Sequence, residues 1–118
     1  MLANYTNMNA IQTQASCTDA KSALELVGNL LTNGGFATAA YTQAITENFA
    51  EHGAYFVIAP GIALPHARPT GVKQSGISIV TLTSPVDFGN VANGPADLLI
   101  GLAATGNNDH LQLLAELV

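Results

Sequence analysis

The apolar residues of this chain change their spacing at Gly53, and that change decides what the chain can fold into. From Thr18, an expected N-cap, Ala20, Ala23, Leu24, Val27, Leu30 and Leu31 recur every three or four positions until Asn33-Gly34-Gly35 supplies a stop. A second helix is expected from Thr38, with Tyr41, Ala44, Ile45 and Phe49 as its apolar stripe and Gly53 closing it after His52. The two make a helical hairpin. Beyond Gly53 the apolar residues come in unbroken runs. Ala54-Tyr55-Phe56-Val57-Ile58-Ala59 has no polar face, the pattern of a strand buried on both sides, and Pro60-Gly61 stops it. Ile77 to Thr83 and Ala96 to Ala103 are further strand candidates, with turns at Ser84-Pro85 and Asn93-Gly94-Pro95.

A last helix is expected from Gly106-Asn107-Asn108-Asp109, with Asn107 or Asn108 as its N-cap and His110 in its first turn. No Gly, Lys, Arg or Pro marks its end before Val118, so the expectation is a domain whose C-terminal part is missing. Helices, then buried strands, then a closing helix predict α/β layers, with helices covering both faces of a sheet. The length suits a single domain over residues 18–118, preceded by a polar, aperiodic lead-in over 1–17 that is either mobile or folded as a short strand or turn.

Charge narrows the function. Lys21, Arg68 and Lys73 are the only Lys and Arg residues, against 8 Asp and Glu, for a formal net charge of −5. Three cations cannot make the row of phosphate contacts that nucleic-acid binding needs, nor dock on an anionic membrane. The N-terminus lacks the basic segment and apolar run of a secretory signal, so a cytoplasmic location is expected. The apolar stretch Ala54 to Pro65, broken by Pro60 and Gly61, is too short to span a bilayer. Cys17 is the sole cysteine, which excludes an internal disulfide and a cysteine-based zinc site.

Chemistry therefore falls to the histidines. His52, at a helix end, suits a capping role toward the last free carbonyls. His66 lies in a segment framed by Pro60, Pro65 and Pro69, beside Arg68. Prolines fix φ and remove donors, which stiffens a loop outside the ladders. Such a loop suits an imidazole that presents one ring nitrogen in a fixed direction as a nucleophile; the plainer alternative is a ring that satisfies a buried carbonyl near a strand end. His110, in the first helical turn, could donate to a phosphoryl oxygen or cap the helix. The three do not read as a metal set, since His52 belongs to the helical hairpin and no supporting pattern of second partners accompanies them. No metal or cofactor is expected.

The stretch Gly61-Ile62-Ala63-Leu64-Pro65-His66-Ala67-Arg68-Pro69 closely resembles the active-site signature of the mannitol/fructose-type enzyme IIA domains of the bacterial phosphoenolpyruvate-dependent sugar phosphotransferase system. The helical segment from Asp19 to Phe49, Thr83-Ser84-Pro85-Val86-Asp87-Phe88, Pro95-Ala96-Asp97-Leu98-Leu99 and Asp109-His110-Leu111 are similar to the same family. Pro65-His66-Ala67-Arg68-Pro69 and Pro85-Val86-Asp87-Phe88-Gly89 look closest to the ascorbate-type members.

The resemblance implies a mixed β-sheet sandwiched between helices, and a phosphotransferase that works as a relay. The histidine-containing phosphocarrier protein would donate a phosphoryl group to His66. A IIB protein or domain with a cysteine acceptor would take it on, for uptake of ascorbate or a related sugar or polyol chosen by the membrane IIC component. The family's second active-site histidine falls on His110. The alternative is a regulatory, nitrogen-related IIA protein whose phosphorylation controls partner binding. One departure matters: mannitol-type members carry an arginine in the helix before the signature, whereas Ser22 to Ala67 contains no Lys or Arg. Arg68 is then expected to take over the charge role. Ile62, Leu64 and Pro65 are expected to form a rim for the carrier protein.

Overall fold

The computed structural model of the chain describes residues 2–106 and residue 115. His110 and the expected start of the closing helix lie outside the described residues. Asp19, not Thr18, caps the first helix, α1 (Ala20–Asn33). Its carboxylate accepts from the Ser22 backbone N–H at 2.8 Å, and the Ser22 hydroxyl answers at the Asp19 backbone, closing a capping box. Thr18 as cap would have put Lys21 in the reciprocal position, and a lysine has no acceptor to offer. The backbone hydrogen bond from Ser22 is the main reason that the Asp19 carboxyl titrates below the usual carboxylate range.

The helical hairpin ends where the sequence places its stops. Gly34 donates its N–H to the Leu30 carbonyl at 2.9 Å, and Gly35 takes φ +86°, a value open to glycine without strain. The second helix, α2 (Ala39–His52), follows Thr38, whose side chain makes no capping bond, and Gly53 closes it. The helices touch closely at one point: a Cβ on Gly28 would lie 2.4 to 2.7 Å from the side-chain atoms of Thr42.

Five strands form one mixed sheet: β1 (Ile11–Ala15), β2 (Val57–Ala59), β3 (Gly61–Ala63), β4 (Gly76–Val86) and β5 (Ala96–Ala103), in the order β1-β4-β5-β3-β2. β1 is parallel to β4 and β3 to β5, whereas β4 with β5 and β2 with β3 are antiparallel. β1 comes from the polar lead-in, and its exposed Gln12, Thr13 and Gln14 fit an edge strand.

Three expectations about strands change. The run Ala54 to Ala59 is not a strand buried on both sides: only Val57–Ala59 is a strand, it lies at the sheet edge, and Ile58 is 56% exposed. Its apolar start is a turn whose Phe56 enters the core against Phe49 and Phe88, so the missing polar face records aromatic packing rather than a central strand. Pro60-Gly61 does not merely stop it but returns the chain as β3, with Gly61 at φ +84°. Ser84-Pro85 is no turn, because β4 runs through it to Val86; the register breaks between Thr81 and Val86, where a proline costs no ladder hydrogen bond.

One face of the sheet receives α1 at short range. Ser78 is fully buried on β4, and its hydroxyl donates to the Val27 carbonyl of α1 at 3.0 Å, which satisfies a polar group that would otherwise be costly there. Gly101 on β5 leaves the room this requires, since a Cβ there would lie 2.4 Å from Val27 Cγ1. On the opposite face Ile77 pairs with Leu102, and both cluster with Leu64. No described helix is long and apolar enough to cross a membrane.

Replacing Gly28 by alanine should overpack the hairpin, at about 1–3 kcal/mol, which outweighs the roughly 1 kcal/mol gained in helix propensity. Denaturant unfolding should show Gly28→Ala destabilised and most of that loss recovered in Gly28→Ala with Thr42→Ala. Simple additivity of the two changes would contradict the contact.

Candidate functional site

β3 and β5 run parallel, so their C-terminal ends open on the same side of the sheet, the usual place for a site in an α/β fold. There Leu102, Ala104 and Gly106 meet the segment that follows β3, and α2 supplies the wall. The result is a cleft of about 450 Å³, lined among others by Tyr41, Asn48, His52, Tyr55, His66 and Arg68.

The His66 loop is held atom by atom. The Leu64 N–H donates to the Phe56 carbonyl at 2.8 Å, and the Leu102 N–H donates to the Pro65 carbonyl at 2.9 Å. The Ala67 N–H donates to the Tyr41 hydroxyl at 3.1 Å, and that hydroxyl donates in turn to the Leu102 carbonyl. The Tyr55 hydroxyl donates to the His66 carbonyl at 2.7 Å. Prolines at 65 and 69 leave fewer donors to satisfy, and of the rest the Leu64 and Ala67 N–H groups are paired by these bonds.

The ring itself is tied back to its own loop. His66 Nδ1 lies 2.7 Å from the Leu64 carbonyl oxygen. A carbonyl can only accept, so Nδ1 carries the proton and Nε2 is the nitrogen with the lone pair when the ring is neutral. The carbonyl-satisfying reading of His66 is thus met at a strand end, and the same bond holds the ring in one direction.

Arg68 lies exposed on the cleft wall, as the sequence expects of a cation near the site. It also borders a second depression lined by Glu47, Glu51 and His52. His52 is corrected: it makes no bond to the last helix carbonyls, of which Phe49's is taken by the Gly53 N–H, and its Nε2 lies 3.8 Å from a Glu51 carboxylate oxygen while the ring borders the cleft. The expected rim is also corrected. Leu64 and Pro65 are buried in the loop's underside and cannot meet a partner; only Ile62 is partly exposed. Among the described residues no group of three or more His, Cys, Asp or Glu could hold a metal.

Tyr41, Asn48 and Tyr55 are the site residues that sequence reading did not single out. Tyr41 lies in an aliphatic stripe and reads as core, yet a buried phenol must find partners, and this was the available signal. Asn48 and Tyr55 offered none, because their contacts join positions 18 and 11 residues from His66, respectively, through the fold.

The chain is thus an α/β domain with a mixed sheet that holds His66, through Nδ1 on the Leu64 carbonyl, beside the C-terminal ends of β3 and β5. Residues 4–118 match the family described as "Phosphoenolpyruvate-dependent sugar phosphotransferase system, EIIA 2". The chain belongs to this family and is a IIA phosphocarrier, a phosphotransferase working through a phosphohistidine. It is 41% identical over 106 residues to an ascorbate-specific PTS system EIIA component of Salmonella choleraesuis, covering 89% of this chain and 69% of that one. Against the corresponding component of Escherichia coli it is 40% identical over 105 residues, covering 88% and 68%.

Among solved structures it resembles the mannitol-specific cryptic phosphotransferase enzyme IIA CmtB of Escherichia coli, with a TM-score of 0.87, 33% identity and coverage of 98% and 79% of the two chains. A complex of enzyme IIA mannitol with phosphorylated enzyme IIB mannitol from Escherichia coli aligns with a TM-score of 0.79 at 25% identity, over 94% and 77%.

Burial pushes the Tyr41 hydroxyl up to about 12, and burial also raises that of Tyr55. The unfolded Tyr41 releases its proton near 10, whereas the folded one keeps it, so the native state binds more protons between these values. Its contribution is complete below pH 10 and is lost as pH rises toward 12, at up to about 1.4 kcal/mol per pH unit. Urea unfolding across this window should show the loss, and Tyr41→Phe should flatten it. An equal slope in Tyr41→Phe would contradict the assignment.

Proposed function

We propose that the chain carries its phosphoryl group on Nε2 of His66, receiving it from the histidine-containing phosphocarrier protein and passing it to a IIB component in the uptake of ascorbate or a related sugar or polyol. The bond from Nδ1 to the Leu64 carbonyl is the observation that carries this reading. Nε2 attacks in line, the N–P bond to it forms, and the donor's N–P bond breaks. Because Nδ1 already holds its proton, the ring gives up none and becomes cationic as it takes the phosphoryl group. The Leu64 carbonyl dipole faces that new charge and stabilises it. The reverse sequence hands the group to the acceptor, and a cationic ring is a good leaving group.

Catalysis here is positioning and charge balance. Arg68 faces the equatorial oxygens or the partner that brings them, as the one Lys or Arg side chain on the cleft wall among the described residues. His110 is the hydrogen-bond donor to the phosphoryl group. The ascorbate specificity of its relatives supports the sugar class, and the mannitol IIA–IIB complex supports a IIB partner. We place the protein in the cytoplasm, where the phosphocarrier and a membrane-bound IIC would be reached.

Incubation with phosphoenolpyruvate, enzyme I and the phosphocarrier should add one acid-labile phosphoryl group per chain. His66→Ala should take none; a retained label would overturn the acceptor assignment. Arg68→Ala and His110→Ala should reach full labelling more slowly, by about tenfold or more for a lost charge-assisted contact. Unchanged rates in either would remove that residue's role.

A further inference from the structure

We propose that Tyr55 is a positioning residue for phosphoryl transfer: held by Asn48, its hydroxyl fixes the peptide that follows the imidazole and so sets the direction in which His66 presents Nε2. This inference rests on the reading of His66 as the phosphoryl acceptor.

The His66 carbonyl and the Ala67 N–H belong to one peptide plane, and each end of that plane is tied to a different tyrosine. The Tyr41 hydroxyl accepts from Ala67 at 3.1 Å, and the Tyr55 hydroxyl donates to His66 at 2.7 Å. Two anchors at opposite ends stop the plane from rotating. One alone would leave it a hinge.

Tyr55 is itself fixed from three sides. A phenol has one hydrogen, and the His66 carbonyl can only accept it. The Asn48 side-chain amide from α2 therefore donates to the Tyr55 oxygen, and the same Nδ2 lies 3.5 Å from the His66 carbonyl. The Tyr55 ring stands perpendicular to the His66 ring, with centroids 5.2 Å apart and planes at 89°. It is braced behind by Phe56, at 5.4 Å and 79°. Edge-to-face contacts of this kind add directionality to apolar burial. α2, the helix before the signature, carries no Lys or Arg and thus acts on the loop through the Asn48 amide and, beyond it, the Tyr55 phenol.

The two tyrosines differ in what their loss would do. Tyr41 is 1% exposed and also holds Leu102, so removing its hydroxyl strikes the core. Tyr55 is 42% exposed at the cleft, and water can replace its hydroxyl at the His66 carbonyl. Water restores the hydrogen bond but not the rigid link to α2. The fold should therefore survive Tyr55→Phe while the alignment of the ring loosens.

The test is single-turnover phosphoryl transfer from the phosphorylated carrier protein to Tyr55→Phe, with melting temperature and final label recorded. Near-normal melting and one phosphoryl group per chain are expected, with the maximal rate down about tenfold and the half-saturating carrier concentration unchanged. Asn48→Ala should slow transfer in the same direction, and adding it to Tyr55→Phe should slow it little further. An unchanged maximal rate, or a loss confined to the half-saturating concentration, overturns the proposal. Should Tyr55→Phe fail to fold, Asn48→Ala decides alone by the same criteria. Slow but complete labelling bears only on positioning, whereas a label that survives His66→Ala breaks the acceptor reading itself.

Discussion

With His66 as the proposed phosphoryl acceptor, a single hydrogen bond between its ring and a carbonyl two residues earlier governs the chemistry. It chooses which nitrogen keeps the proton, and therefore which one can attack. It also supplies a dipole facing the charge that the proposed transfer would develop on the ring. The bond needs a loop in which Leu64, His66 and their neighbours hold fixed positions, and much of the sheet's organisation serves that need.

The sheet does this through its strand order. Placing β3 beside β5 lets the Leu102 N–H hold the Pro65 carbonyl, just past the end of their shared ladder. The hairpin of β2 and β3 brings Phe56 to Leu64 and leaves Tyr55 next to the ring. α2 lies against the same loop and adds Tyr41, Asn48 and His52 to the cleft. Behind it, the absence of a side chain at Gly28 lets α2 approach α1. α1 is fixed to the sheet through Ser78 and Gly101. The loop thus inherits its rigidity from contacts far from the imidazole.

Local patterns made much of this legible. The stripes of α1 and α2, their glycine stops, and β5 from Ala96 to Ala103 follow from spacing and turn chemistry alone. The prolines around His66 announced a stiff loop, and its motif announced the family. Other features lay beyond local reading. An apolar run such as Ala54 to Ala59 looks the same whether it crosses a sheet or fills a core from an edge turn, because periodicity says nothing of what lies opposite. The capping choice between Thr18 and Asp19 turned on the reciprocal residue three positions later. Leu64 and Pro65 seemed fit for a docking rim because they flank the histidine, but their side chains point to the interior. The partners of Tyr41, Tyr55 and Asn48 exist only once the chain has folded.

The central claim is that the loop, by holding the Nδ1 proton, directs the phosphoryl group to Nε2. Long-range ¹H–¹⁵N correlation spectra of the phosphorylated, ¹⁵N-labelled protein read this directly, since the two ring nitrogens shift differently when protonated or bonded to phosphorus. The account predicts phosphorus on Nε2 of His66 with the proton on Nδ1. Phosphorus on Nδ1 would contradict it.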